Sequence, residues 1–406
     1  MLRGIAAFSR FPVISSNSRI CRNTMSGIPG PVSPKFISLE GGQRTTGDTS
    51  NGFRFRVISY NILAQVYVKS SYFPHSPSSC LRWKARSQAI LTDLKKLNAD
   101  FFCIQELDEY DIFYKSNMEK LGYSCIYVQR NGQKRDGCGI FYKLNSADLV
   151  LKEEIDYNDL MKSVSTDLEN NSNQVVETSR VTLTEDSLKK KDHGDPNNPR
   201  VRLKRDCVGV LAAFRLKNPS QDVIVFANTH IYWDPEWIDV KLAQVKYLLH
   251  RLEQFKEVVS NKYSCSPSIL LAGDFNSTPG DEVYQYLVSA DLSVSSAATF
   301  KLCSLYGTNG GEPSFTNCTP GFTGTLDYIF LSSTGYLKPI TLLELPGPQS
   351  PDIIGGLPNH HHPSDHLPIG GDFEVLQVLE ESASIPKLHE VEDDFVKLKL
   401  EEQIKD

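Results

Sequence analysis

Six places along the chain set a polar, reaction-capable side chain directly against a run of apolar ones. Asn61 follows Arg54–Tyr60, Glu106 follows Phe101–Gln105, and His230 closes the Asn228-Thr229-His230 step after Val223–Ala227. Asp274 and Asn276 (Gly273-Asp274-Phe275-Asn276) come after Ile269–Ala272, Asp327 opens Asp327–Ser332, and Asp365-His366 precede Leu367–Phe373. A carboxylate beside core residues has to be paired, hydrogen-bonded or bound to metal to tolerate its position. Four acids, two amides and two imidazoles recurring at such junctions point to one shared centre. Each also has a local reading. Asn61 can cap a turn, Glu106 can serve as an N-cap or rim charge, and Asp274 can form an Asx turn ahead of Pro279-Gly280.

The donor types narrow the chemistry. Carboxylates and amides are hard oxygen ligands that suit Mg²⁺, which keeps several waters and takes few protein ligands. His230 and His366 lie far apart and lack the local pairing of a zinc site. A metal on a phosphate oxygen, a base for water and imidazoles on the phosphoryl group together meet the needs of phosphodiester hydrolysis. Neither GxSxG, GxGxxG nor GxxxxGK[ST] occurs, which excludes those nucleophile, dinucleotide and P-loop arrangements.

The elements needed to position such a centre are legible as an α/β pattern. Strands are expected at Arg54–Tyr60, Phe101–Gln105, Cys125–Val128, Gly139–Lys143, Val208–Arg215, Asp222–His230, Ser268–Gly273, Asp327–Ser332 and Leu367–Phe373. Helical periodicity marks Trp83–Leu97 and Val240–Val259. Strands outnumber helices and many are hairpin-spaced, so mixed or antiparallel sheets are expected. No run of about 18 apolar residues is present, so no membrane span is expected. Nine cysteines without a CxxC pair read as buried thiols in a reducing compartment.

The net charge of −6 is unevenly spread: residues 1–50 carry +4 and residues 374–406 carry −6, leaving −4 for the body. A body of that sign cannot hold long nucleic acid by backbone charge alone, so binding is expected at a short cleft where a metal supplies positive charge. Residues 1–39 contain no acid and 1–24 are rich in Arg and Ser, a composition that fits either a transit peptide or a non-targeting extension. Met25 offers an internal start, and residues 26–51, with Pro29, Pro31, Pro34 and Gly41-Gly42, read as unstructured linker. The expected organisation is a leader and linker over 1–52, a catalytic domain over 53–374 with a surface insertion near 163–200, and an acidic tail over 375–406. The insertion is expected to be partly paired around Gln174–Leu183.

The ordered segments SYNIL (59–63), CIQELDEY (103–110), NTHIYWDPEW (228–237), LAGDFNSTPG (271–280), LDYIF (326–330) and SDHLPI (364–369) carry a family resemblance. Over roughly 53–374 the chain resembles the endonuclease/exonuclease/phosphatase superfamily, and within it the carbon-catabolite-repressor type of deadenylase, with a plant homologue of that group expected. The resemblance implies a four-layer α/β/β/α sandwich of two mixed sheets, DNase I-like, with the site at one edge. It implies Glu106 as main Mg²⁺ ligand beside Asn61, and Asp274 orienting or deprotonating water with Asn276. His230 and His366 would meet phosphate, Asp327 would fix the His366 tautomer, and Asp365 would serve a second metal. One or two Mg²⁺ ions are implied, with Mn²⁺ as substitute. Pro235 and Phe322 fall at the offsets where such deadenylases sandwich the terminal adenine.

The implied activity is 3′-5′ removal of poly(A) from RNA, releasing AMP. A nocturnin-like nucleotide or dinucleotide phosphatase and a silent RNA-binding scaffold are the alternatives. Tyr232-Trp233-Asp234-Pro235 stands where the phosphatases carry basic residues, and a silent domain would not need the full set of metal and acid–base positions. The resemblance implies cytoplasm or nucleus, the leader a mitochondrial form. Residues 1–52 show no LxxLxL pattern, so docking to the large deadenylation complex through leucine-rich repeats is not expected. Trp233 and Trp237 can stack bases or pack the helix near Val240, Arg135 can meet a phosphate, and His360–His362 read as loop residues.

Overall fold

The computed structural model describes residues 30–39, 52–162, 195, 197–289, 291–294, 298–333 and 335–376. Residues 163–194, which hold the expected Gln174–Leu183 pairing, lie outside them, as do 1–29 and the tail from 377.

Two sheets form the centre. The seven-stranded one runs, in spatial order, Asp291–Val294, Ala298–Ser304, Asp327–Ser332, Ser268–Asp274, Val223–His230, Val208–Leu216 and Ala147–Asp156. The six-stranded one runs Leu337–Pro339, Ile369–Val375, Arg54–Asn61, Phe101–Gln105, Gly137–Lys143 and Tyr123–Gln129. Each is mixed: Val223–His230 and Ser268–Asp274 pair in parallel, as do Arg54–Asn61 and Phe101–Gln105. Phe101, Phe214 and Phe226 pack between the sheets together with Val57, Ile140, Leu270 and Ile329. Helices Ile238–Tyr263 and Glu282–Ser289 cover the other face of the larger sheet, and Trp83–Leu97 covers the smaller one. The layers are therefore α/β/β/α, as expected.

Burial on both faces explains why the central strands read as continuous apolar runs, with Phe101–Gln105, Val223–His230 and Ser268–Asp274 buried throughout. The Val240–Val259 helix is longer than its periodicity, running Ile238–Tyr263 to a left-handed cap at Ser264. Leu367–Phe373 is shifted to Ile369–Val375, because Pro368 cannot donate to the ladder. That strand ends at Val375. The linker reading of 26–51 is corrected at Phe36–Ser38, which pairs antiparallel with Thr341–Leu343. Arg56 stacks over the Phe36 ring at 3.7 Å, so a three-residue strand is held by a side chain as well as a ladder. The insertion ends in a short helix, Pro199–Leu203, capped by the Asn198 side chain.

Close approach of the strands requires glycine beneath the site. A Cβ on Gly273 would stand 2.2 Å from the Thr229 carbonyl oxygen, across the parallel pair that carries His230 and Asp274. Gly273→Ala is expected to cost roughly 3 kcal/mol by forcing the strands apart, read as a lowered urea midpoint.

Candidate active site

Strand register builds the row of candidate catalytic groups. Asp274 is the direct neighbour of His230 on one side and of Asp327 on the other. Paired residues share a face of the sheet, so the three side chains leave it together. On the facing sheet Asn61 pairs with Gln105, and Glu106 follows at once. The two rows meet where the Asn61 amide donates to Asp274 Oδ2 at 2.9 Å and to Glu106 Oε1 at 3.2 Å.

Glu106 has a left-handed backbone at φ 53° and Asn276 at φ 44°, conformations that cost most residues energy. Glu106 lies immediately past a strand end and Asn276 two residues past one, where the turn redirects the chain. Asn276 uses it to give its own N–H to Asp274 Oδ1 at 2.9 Å, while its amide donates to the Ile231 carbonyl. Glu106 Oε2 accepts from the Ala64 N–H at 2.9 Å.

His366 Nδ1 lies 2.7 Å from Asp327 Oδ2, which also accepts the Thr316 hydroxyl at 2.6 Å. A carboxylate held by that hydroxyl binds the imidazole Nδ1–H and leaves Nε2 facing Asp274 Oδ2 at 3.7 Å. His230 Nε2 stands 3.6 Å from the same oxygen. Burial opposes charge on both rings. Asp327 and Asp274 outweigh it at His366, raising its pKa well above the ordinary value. At His230 burial is reinforced by Arg130, His366 and Lys134, and the pKa falls well below it. The site therefore presents one imidazolium and one neutral imidazole at neutral pH. Burial and the neighbouring Asp327 push Asp274 up to about 6, so it is a carboxylate at neutral pH with basicity to spare.

Burial, then Asp136 and Asp365, push Glu106 up to about 8. A buried Glu106 raised by two neighbouring acids, and an Asp365 Oδ1 buried without a hydrogen-bond partner, are what a divalent cation would relieve. Asp274, Asp327 and His366 also bring one ligand atom each within 4.8 Å of one another. His366 and Asp327 are already joined by a hydrogen bond, however, so that trio works better as a base with an oriented imidazole. The Glu106 carboxylate, with Asn61 beside it and Asp365 acting on it through its charge, is the better cation site.

All of Asn61, Glu106, His230, Asp274, Asn276, Asp327 and His366 thus come together. Asp365 adjoins them through its charge, and its backbone oxygen anchors the Cys318 N–H. Pro235 is exposed in the loop leaving His230. Phe322, 42 % exposed, lies on a hairpin (Asn317–Thr319 with Phe322–Gly324) tied to the 365–367 segment through the Asn317–His366 bridge and the Leu367 N–H to Thr316 oxygen bond. Both stand at the rim rather than in the buried row. His362 binds Asp352 at 2.7 Å and His360 lies 3.3 Å from the Ser79 hydroxyl, so these two histidines of the triplet have loop partners.

Several contributors escaped the sequence. Arg86, 1 % exposed, donates to the carbonyls of Ile62, Leu63 and Pro363 and to Gln65 Oε1. It clamps the turn after Asn61 to the segment before Asp365 and His366. Its place on the apolar stripe of Trp83–Leu97, four residues before Ile90, was the available signal. Buried Asp136 accepts the Tyr67 hydroxyl at 2.7 Å and pairs with Arg130. Arg135 is exposed, whereas Arg130, five residues earlier, is the enclosed arginine that bears on His230.

Comparison with known proteins agrees with this geometry. Residues 58–366 match the model of the Endonuclease/Exonuclease/phosphatase family. Carbon catabolite repressor protein 4 homolog 4 of Arabidopsis thaliana is 60% identical over 331 residues, covering 80% of this chain and 78% of that protein. The CCR4-Not complex 3′-5′-exoribonuclease subunit Ccr4 of Schizosaccharomyces pombe is 30% identical over 378 residues, covering 81% of this chain. The match spans only 50% of that subunit's length. Among solved structures, ANGEL2, a 2′,3′-cyclic phosphatase, superposes with a TM-score of 0.64 at 25% identity, covering 86% of this chain and 100% of that one. On the match over residues 58–366 and the 60% identity, the chain belongs to the Endonuclease/Exonuclease/phosphatase family, in its carbon catabolite repressor protein 4 group.

Proposed function

We propose that this enzyme is a Mg²⁺-dependent 3′-5′ exoribonuclease that shortens poly(A) and releases AMP. The observation that carries the hydrolytic part is the Asp274 carboxylate, held by Asn61 and Asn276 with both imidazoles within 3.7 Å. Glu106 and Asn61 would hold the metal, with Asp365 at a second position. When bound, the metal lowers the pKa of water and neutralises charge on the phosphate.

The chain's own groups do the rest. Asp274 accepts the proton of the attacking water. Protonated His366 donates to a phosphate oxygen through Nε2, its ring fixed by Asp327. Neutral His230 supplies a second contact without adding charge. Pro235 and Phe322 offer an apolar surface and a ring face to the last base, worth about 1–3 kcal/mol in stacking. The 3′-5′-exoribonuclease names of the Ccr4 relatives support RNA as substrate, and the aromatic loop after His230 favours a base over an extra phosphate. The acid-free leader supports a mitochondrial form beside a cytoplasmic or nuclear one.

Product analysis with Mg²⁺ tests the reading on three substrates: a 3′ oligo(A) RNA, an oligo(C) RNA and NADPH. AMP release from oligo(A), well ahead of hydrolysis of the other two, is expected. Equal rates on both RNAs would remove the adenine contact, and turnover of NADPH alone would favour a nucleotide phosphatase. Chelation should stop the reaction, and Mg²⁺ should restore it.

A further inference from the structure

A cluster of cations and aromatic rings leads away from the catalytic row on the His230 side. Two chain segments diverge from the Val208–His230 pair: residues 200–207, entering Val208, and residues 231–237, leaving His230. They meet again outside the sheet. Arg205 stands over the Tyr232 ring at 5.2 Å and over Trp237 at 4.2 Å, and Arg202 lies against the same Trp237 at 4.0 Å. Trp237 therefore packs against guanidinium groups, which differs from the helix packing that its position before Ile238 suggests. Trp233, next to Tyr232, is 64% exposed.

The loop 130–136 extends this wall. It touches the 200–207 segment where Arg130 donates to Cys207 Sγ at 3.3 Å, and a Cβ on Gly132 would meet Asp206 at 2.9 Å. Lys134 lies over the Tyr67 ring at 5.6 Å, and both Arg130 and Lys134 bear electrostatically on His230. Asp239 neutralises Arg202 and Asp136 partners Arg130. Lys134, Arg135, Lys204 and Arg205 have no carboxylate partner among the described residues, and Arg205 Nε is buried without a hydrogen bond. In a chain of net charge −6, four cations without carboxylate partners on these two touching segments, with an exposed indole on the adjoining 231–237 segment, are complementary to an anionic, flat-faced ligand.

We infer that this wall is a single-strand RNA platform for nucleotides 5′ of the scissile bond, with Trp233 stacking a base and Lys204, Arg205 and Lys134 following the phosphates. The inference rests on the exonuclease reading of the site. Stacking tolerates any base, so the platform holds the strand while the choice of terminal base lies elsewhere.

The test uses the full chain on oligo(A) of about 16 nucleotides and of about 3, the longer being able to span such a track. Trp233→Ala should raise KM for the long RNA about 5- to 100-fold, with kcat unchanged and the short RNA unaffected. Lys204→Gln, at an exposed position that cannot disturb the core, should reduce the slope of log affinity against log salt by about 0.7. Binding is also read without cleavage, by anisotropy in EDTA with fluorescent oligo(A) and oligo(U), where Trp233→Ala should weaken both. Equal losses on short and long RNA, or unchanged binding in both variants, overturn the platform. If the parent chain binds RNA through Trp233 yet cleaves none, only the exonuclease reading fails. If it binds no RNA, both fail.

Discussion

Glu106→Gln is expected to lower kcat/KM at least about a thousandfold, the several kcal/mol that a lost metal contribution to transition-state charge represents. The fold should survive, because an amide oxygen can still accept from the Ala64 N–H. Stability should change in a direction that separates this from unfolding. Burial and the acids around it raise Glu106 to about 8, above its unfolded value. A carboxylate raised in the folded state favours folding below the unfolded pKa, and that contribution is lost as pH rises through the folded one. Metal-free wild type should therefore lose melting temperature between about pH 4.5 and 8 relative to the variant. Mg²⁺ should restore the wild type and leave the Gln variant unmoved. Wild-type turnover by the variant would remove Glu106 from the site.

Asp327→Asn should cost nearly as much through a different route. The comparable change in a Ser-His-Asp triad lowers kcat about 10⁴-fold by leaving the imidazole in the wrong tautomer. Here Asp327 Oδ2 accepts the Thr316 hydroxyl and binds His366 Nδ1, and it is a leading cause of the raised His366 pKa. The variant should retain residual activity whose alkaline limb moves towards neutral pH, since His366 now loses its proton earlier. A pH–rate profile reads this directly. An unshifted limb would mean that His366 acts without its charge.

These effects concentrate in residues that the sequence exposes for a physical reason. Phe101–Ile104 and Ile269–Ala272 are apolar throughout because both faces of their strands are buried, so the polar residue ending each run is conspicuous. The same logic hides Ala147–Asp156. As an edge strand with one face largely in solvent it carries Lys152, Glu153 and Glu154 and shows only the short apolar run Leu149–Leu151. Glu282–Ser289 is too short for periodicity to declare it. The roles of Arg86 and Asp136 could not be read because their partners lie far along the chain, the Pro363 carbonyl for one and the Tyr67 hydroxyl for the other. Thr316 falls in the same class, recognisable only once Asp327 has been placed beside it.

The Phe36–Ser38 strand sets a limit on how the chain can be shortened. It occupies the ladder of Thr341–Leu343, and the Arg56 guanidinium that covers Phe36 also binds Asp372 at 2.7 Å. A form trimmed ahead of Lys35, including one begun at Met25, keeps that pairing whole. A form begun at Gly52 would retain every catalytic group yet bare a row of backbone donors and acceptors beside Leu342 and Leu343. Such a protein would be an active enzyme with an adhesive seam, prone to self-association at the concentrations used to study it.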